Sequence, residues 1–316
     1  MKRKVIQLAG KTSVISLPSK WVKKYNVKKG DEVEVIENGS DLVVKTNNSS
    51  AKESITLDVS KFNKRAFGCA MSALHKIGYD EVTLLHDKPL QVKELQEHMN
   101  NLFLGFVVID QTAKKTVLKS IATDIETEFD ASLRRAFLVT LSLADSTLEL
   151  IENTNFDNLE SLLNLENTNN QLTSFCLRLI NKGMYKDAKK MQFVYVVIWN
   201  LEKIADEYKY ICRDLSTNKN KINKDTLDLY KRVNIFLKSY YELFYKFSVD
   251  SMNALLEERN NLVVGINGMN ARNNTETRLL NYLGSIVGKL YDLSSSIFAM
   301  HYDNIKELKQ FAYSNS

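Results

Sequence analysis

Lys2, Arg3, Lys4, Lys11, Lys20, Lys23, Lys24, Lys28 and Lys29 all fall within the first thirty residues, a stretch with no Asp or Glu. The whole chain has 43 basic and 38 acidic residues, so the other 286 carry 34 against 38 and are mildly acidic. Unbalanced positive charge on a small unit suits a polyanion, because each Lys or Arg that neutralises a phosphate releases a condensed counterion. A solvated basic face has the same composition, so charge alone leaves both readings open.

A second group of residues has the chemistry of a cation site. Glu202 and Asp206 are four residues apart, so on a helix both carboxylates project from one face, about 5–6 Å apart at Cβ. Hard and borderline cations are held by oxygen clusters of this kind, completed by ligands from a facing helix. Carboxylates at this spacing also occur on many solvated helices. Other chemistries find little support. His75, His86 and His98 include no pair four apart and have no Cys beside them. Gly68, Gly78 and Gly105 are isolated, so no glycine-rich phosphate loop is present. Cys69, Cys176 and Cys212 are odd in number and far apart, as expected of reduced thiols rather than a disulfide framework. With no nucleophile–base pair and no complete metal site, the chain does not read as an enzyme.

The basic residues need elements to position them. Val5–Leu8 and Ser13–Leu17 read as short strands around a turn at Ala9–Thr12. Pro18 suits the first position of a short helix over Lys20–Tyr25. Glu32–Glu37 alternates polar and apolar, Asn38-Gly39-Ser40-Asp41 is a hairpin turn, and Leu42–Val44 is the return strand. So few residues bury little, and dimerisation is expected. After a polar linker at 46–53, a β-α-β-α-β-β unit is predicted from strands at Ser54–Val59, Glu81–Leu85, Phe106–Asp110 and Thr116–Ile121, with helices at Phe62–Ile77 and Val92–Leu104. Its expected role is a spacer or a dimerisation platform.

From Phe129 onward apolar residues recur at helical spacing. Helices are predicted over Leu133–Ile151, Leu159–Ile180, Tyr185–Leu215, Thr226–Phe247, Met252–Ile266 and Glu276 to about Phe311. The two prolines, Pro18 and Pro89, both precede this region, which suits a helical body. The reading is two antiparallel three-helix bundles. The longest apolar run, Phe193–Trp199, is far short of the roughly 20 residues that span a bilayer, and the N-terminus lacks the apolar core of a signal peptide. A soluble, cytoplasmic protein without membrane insertion is expected.

Two resemblances refine these expectations. Gly10-Lys11-Thr12-Ser13-Val14-Ile15-Ser16-Leu17-Pro18, Trp21-Val22-Lys23-Lys24-Tyr25 and Val27-Lys28-Lys29-Gly30-Asp31-Glu32-Val33-Glu34-Val35 resemble the AbrB/MazE family of swapped-hairpin DNA-binding domains. That resemblance implies a homodimer of exchanged hairpins. Lys2, Arg3, Lys4 and Lys11 become its leading DNA contacts, and Lys20, Lys23 and Lys24 its backbone contacts. Residues 130–312 resemble the PhoU phosphate-uptake regulators. Leu165–Leu172 and Cys176-Leu177-Arg178 fall in the second helix, and Leu201-Glu202-Lys203-Ile204-Ala205-Asp206 matches the acidic motif of the third. It implies a divalent or ferric ion at Glu202 and Asp206. Gly284 and Gly288 stand where the second bundle's carboxylates belong, and close helix approach is the expected use of these glycines. The combination looks like the archaeal type of PhoU-family regulator.

The expected architecture is multidomain α+β. It has an AbrB/MazE-like domain (1–47), a small α/β unit (54–125) and an all-α pair of three-helix bundles (128–314). The expected function is DNA-binding regulation of phosphate uptake, with the helical body sensing a signal or docking a partner. The alternative is a non-DNA adaptor for a phosphate transporter ATPase or a sensor kinase. An antitoxin, also suggested by the N-terminal resemblance, fits poorly with so long a structured remainder.

Overall fold

A computed structural model of the chain describes residues 2–46, 52–87, 95, 98–99, 103–121 and 128–304. The chain divides into two compact units at Ser54.

The first unit consists of two antiparallel hairpins joined by a one-turn helix. Strands β1 (Ile6–Leu8) and β2 (Thr12–Val14) pair Ile6 with Val14 and Leu8 with Thr12. Ala9 and Gly10 both take positive φ, the requirement of a tight hairpin turn whose twist matches its strands. Helix α1 (Ser19–Lys24) starts one residue earlier than expected. Pro18 stands at its N-cap rather than inside it, with ψ of 126°. Strands β3 (Val33–Asn38) and β4 (Asp41–Thr46) close around Gly39, whose φ is 61°.

The second unit opens with a four-stranded sheet made of β5 (Ser54–Asp58), β6 (Glu81–Leu85), β7 (Phe106–Gln111) and β8 (Lys115–Ser120), in the order β5-β6-β8-β7. Helix α2 (Lys64–Ile77) connects β5 to β6. The Asn63 side chain caps it by accepting from the Ala66 amide at 2.9 Å, and Gly78 ends it at a φ of 113°. Phe67, Met71, Val82, Leu84 and Leu118 form its core. Of the helix expected at Val92–Leu104, residues 92–94, 96, 97 and 100–102 lie outside the described set. Leu95, His98 and Met99 are helical, whereas Phe103 and Leu104 are not.

Six long helices follow among the described residues: α3 (Phe129–Glu152), α4 (Leu163–Asn181), α5 (Met191–Asn218), α6 (Lys224–Tyr245), α7 (Val249–Gly268) and α8 (Asn274–His301). Helices α3 to α5 pack on one another, as do α6 to α8, and the long α5 and α8 join the two sets. One continuous apolar core runs through all six. Buried polar groups also tie the helices together. The Tyr208 hydroxyl donates to Asn234 Oδ1 at 2.9 Å, and the Glu276 carboxylate accepts from the backbone amides of Asn223 and Arg272 at 2.7 Å each.

Three predicted boundaries need correction. The helix expected from Leu159 is a 3-10 segment, Phe156–Leu162, followed by α4. Helix α5 begins at Met191 rather than Tyr185, and Tyr185 packs its ring against Phe129 from a loop, with centroids 5.1 Å apart. Helix α8 ends at His301; the rest of the stretch predicted to Phe311 is a 3-10 turn at Tyr302–Asn304 and then residues outside the described set.

The middle sheet is docked on α4 through a buried guanidinium. Arg178, 1% exposed, donates to the carbonyls of His75 at 3.1 Å and Tyr79 at 2.8 Å and to the Asp80 carboxylate at 2.9 Å. Lys182 reaches the same carboxylate at 2.6 Å, and Asn181 donates to the Lys76 carbonyl at 2.7 Å. These donors satisfy carbonyls that the end of α2 would otherwise leave orphaned. Beside them, the buried His75 ring shares a hydrogen bond of 2.9 Å with Ser174 and packs on Phe103 and Phe106. Burial, reinforced by the Arg178 charge, pushes His75 down from its ordinary 6.5 to about 3.

The folded state therefore refuses a proton that the unfolded chain accepts below pH 6.5. Stability is fully present above that pH and is lost as the pH falls toward 3. We expect wild type to lose about 2 kcal/mol more than His75→Gln between pH 6.5 and 5.0, from 1.36 kcal/mol per pKa unit. Urea unfolding of both proteins at the two pH values reads the difference. Parallel losses in the two proteins would show that His75 is not the group responsible.

Candidate nucleic-acid interface and the acidic cluster

The basic residues of the first unit are exposed. Among the described residues, Lys2, Arg3, Lys4, Lys11, Lys20 and Lys23 have no ion-pair partner. Lys24 differs: it pairs with Glu53 at 3.0 Å and lies over the Tyr25 ring. Hydrogen bonding to Glu53 raises its pKa, so it stays charged, although an exposed pair of this kind adds little stability.

Connectivity sorts these charges into two groups. Lys2, Arg3 and Lys4 lead into the open end of the first hairpin, the end from which α1 also departs. Lys20, Lys23 and Lys24 have the i, i+3, i+4 spacing that places them on one face of α1. Trp21 and Tyr25 pair separately, with ring centroids 5.4 Å apart. Lys11 sits at the other end, beside the hairpin turn, about 10 Å of extended strand away. The unit thus presents a cationic helix face and end, plus one isolated lysine at a hairpin tip.

Many of its apolar residues are exposed as well. Among the side chains described in residues 2–46 none is buried. Val5 is 67% exposed, Val35 55% and Leu42 60%, and Ile6, Leu8 and Ile15 are also open to solvent. β-Branched strand residues are ordinarily covered, so one copy of this unit leaves an unfilled core face.

In the second unit, Glu202 and Asp206 of α5 do share a face, as their spacing predicts, but lysines occupy it with them. Lys203 bridges Glu202 at 2.9 Å and Asp206 at 3.1 Å. Lys209 bonds to Asp206 and reaches Glu166 of α4 at 2.8 Å, and Asn170 donates to the same Glu166 oxygen at 2.7 Å. Burial works to raise the Asp206 pKa, but the two ammoniums outweigh it and hold the carboxyl below its ordinary 3.8. Burial likewise pulls Lys209 down, and the carboxylates of Asp206 and Glu166 overcome it and raise it.

A metal ion implied at Glu202 and Asp206 does not fit this donor set. Ammonium hydrogens already occupy the oxygens a cation would need, and among the described residues no group of three or more His, Cys, Asp or Glu could hold a metal. The second set of helices uses the same kind of pairing. Glu207, on another face of α5, accepts from Lys289 at 2.7 Å and Ser285 at 2.8 Å, and Arg278 grips Asp214 through 2.7 and 2.8 Å bonds. Gly284 and Gly288 need a correction. A Cβ at Gly284 would meet Ile266 only at an ordinary 3.8 Å and one at Gly288 would meet nothing, so neither glycine is required by close helix approach.

Glu166, Lys209, Glu207 and Lys289 were not singled out in the sequence. Lys209 was nonetheless legible, three residues after Asp206 and seven after Glu202 on the same helical face.

A family model described as "Antidote-toxin recognition MazE, bacterial antitoxin" matches residues 6–52. Residues 6–52 are a MazE/AbrB-like domain. The two hairpins and the helix between them are consistent with that assignment, and a domain of this type suggests a DNA-binding regulator. No curated protein and no solved structure matches the chain. Among the described residues no helix is long and apolar enough to cross a membrane.

Lys209→Met should cost about 2–3 kcal/mol, because it leaves Glu166, 3% exposed, with an amide in place of an ammonium. Urea denaturation of the variant measures it. A loss below about 0.5 kcal/mol would place this network among surface pairs of no consequence.

Proposed function

We propose that this chain is a homodimeric DNA-binding regulator whose first unit grips the duplex and whose helical body carries the regulatory input. The observation that carries this reading is the first unit itself. Among the described residues, five lysines and one arginine lack an ion-pair partner on a scaffold that matches a MazE model, and its apolar strand residues are open to a second copy. Exchange of hairpins between two chains covers Ile6, Ile15, Val35 and Leu42 and doubles the local positive charge. Basic residues at the open end and on α1 then meet phosphates, while Lys11 at the hairpin tip reaches separately. In this reading the protein works in the cytoplasm.

The finer reading assigns phosphate-uptake control to the helical body. What supports it is the sequence resemblance of residues 130–312 to PhoU regulators, together with six helices that pack in two sets of three. It does not depend on a bound metal.

Two experiments test the proposal. In the first, fluorescence anisotropy follows the full chain on its own promoter region across a salt series. The logarithm of affinity should fall steeply with the logarithm of salt, at about −0.9 per phosphate contacted. Changing Lys2, Arg3, Lys4 and Lys11 to Ala should make that slope shallower. No binding at low salt would remove the regulator reading and leave the adaptor reading in its place. In the second, light scattering on a sizing column should give a mass near twice 36.2 kDa for wild type and near 36.2 kDa for the Ile15→Asp, Val35→Asp double variant. An unchanged dimer in that variant would move the dimer contact away from the hairpins.

A further inference from the structure

Helices α6 and α7 leave a groove that no pairing described so far fills. Its volume is about 1000 Å³, at the upper end of the roughly 300–1,000 Å³ typical of small-molecule sites. The groove has a sequence cause. Helix α7 buries only Leu255 and Leu262 of its 20 residues, and its Ser251 and Ala254 line the groove together with Ser239 of α6. Three small side chains at one helix contact leave space that a well-packed interior does not tolerate.

The lining is apolar at the base and charged at the rim. Phe236, Leu243 and Leu255 are buried beneath it. Three cations surround it: Arg232, Lys246 and, from α3, Arg134. Arg232 is engaged, since it pairs with Glu258 at 2.9 Å. Arg134 and Lys246 have no ion pair among the described residues, and Glu242 is the remaining acid of the lining. The Arg134 guanidinium lies over the Tyr245 ring at 5.9 Å, which supports its planar fork at the mouth of the groove. Burial, with help from Tyr241, raises Tyr245 above its ordinary 10, so its hydroxyl remains a neutral donor.

We propose that this groove binds an amphipathic organic anion, with its aromatic or aliphatic body on Phe236, Leu243 and Leu255 and its single acidic group on Arg134 and Lys246. Arg134 supplies the bidentate donor that a carboxylate or sulfonate prefers, and Lys246 adds a point charge. Among the described residues, the surplus of two unpaired cations over one unpaired acid in the lining sets the sign of the ligand. The proposal stands apart from the DNA reading, because no residue of the first unit takes part in it.

The test uses the full chain and two fluorescent probes that differ in charge, the anion 8-anilinonaphthalene-1-sulfonate and its neutral parent N-phenyl-1-naphthylamine. Wild type should bind the sulfonate saturably, one per chain, about tenfold more tightly than the neutral probe, as one charge-assisted contact allows. Decanoate should displace it. Arg134→Ala with Lys246→Ala should remove the tenfold preference and leave the neutral probe's affinity unchanged. Ala254→Trp, an exposed position whose new ring fills the groove, should weaken both probes at least about tenfold. Equal affinity of wild type for the two probes overturns the anion assignment. Unchanged sulfonate binding in Ala254→Trp places the probe elsewhere, for instance on the open hairpins, and overturns the site. So does the absence of saturable binding.

Discussion

The second unit depends on one buried cation. Taking a guanidinium out of water costs several kcal/mol, and Arg178 offsets that cost only because three acceptors, the carbonyls of His75 and Tyr79 and the carboxylate of Asp80, converge on it. Burial lowers its pKa and Asp80 works against that, and the guanidinium still carries its charge at any physiological pH. Its position at the end of α4 decides much else. The same helix supplies Ser174 to His75, Asn169 to Thr140 of α3, and Glu166 to Lys209 of α5. The middle sheet and the helices are therefore one compact unit because a single helix satisfies polar groups on three of its neighbours.

The first unit is stabilised in the opposite way. Its backbone geometry is well specified by turn residues, with Gly10, Gly30 and Gly39 all at positive φ where only glycine is at ease. What it lacks is an interior. With no buried side chain among those described in 2–46, its strands leave water in contact with side chains worth about 1.5–3 kcal/mol each when covered. A short module of this kind gains its hydrophobic stabilisation by association, so its stability is tied to protomer concentration. Association also sets cations of like sign side by side, an arrangement that a polyanion relieves.

How much of this was legible depended on the range of the interaction. Turns and helices rest on neighbours in sequence. Thus Gly39 marked its hairpin, and the apolar spacing from Leu133 to Ile151 marked α3, which runs from Phe129 to Glu152. Boundaries failed where a tertiary contact replaced a helical one. Tyr185 looks like the first apolar residue of α5, but it is held in a loop by the ring of Phe129, 56 positions earlier. The Arg178–Asp80 pair spans 98 positions and leaves no periodic trace, so sequence patterning could not reveal that the middle unit is docked. Glu202 and Asp206 were read as a pair because carboxylates at this spacing suggest a cation. The cation is the chain's own, supplied by Lys203 and Lys209 on the same helix.

That substitution bears on the whole molecule. Helix α5 carries acids on two faces, and each is answered internally: Glu202 and Asp206 by Lys203 and Lys209, Glu207 by Lys289, and Asp214 by Arg278. Ion pairs closed within the fold project little field, since opposite charges a few ångströms apart cancel beyond a Debye length of about 8–10 Å. The first unit, by contrast, has eleven bases against six acids, and nine of those bases precede its first acid, Asp31. The strongest uncompensated field of the chain therefore belongs to its smallest and least self-sufficient unit. A polyanion will be drawn there first, and the neutralised helical body will not compete for it.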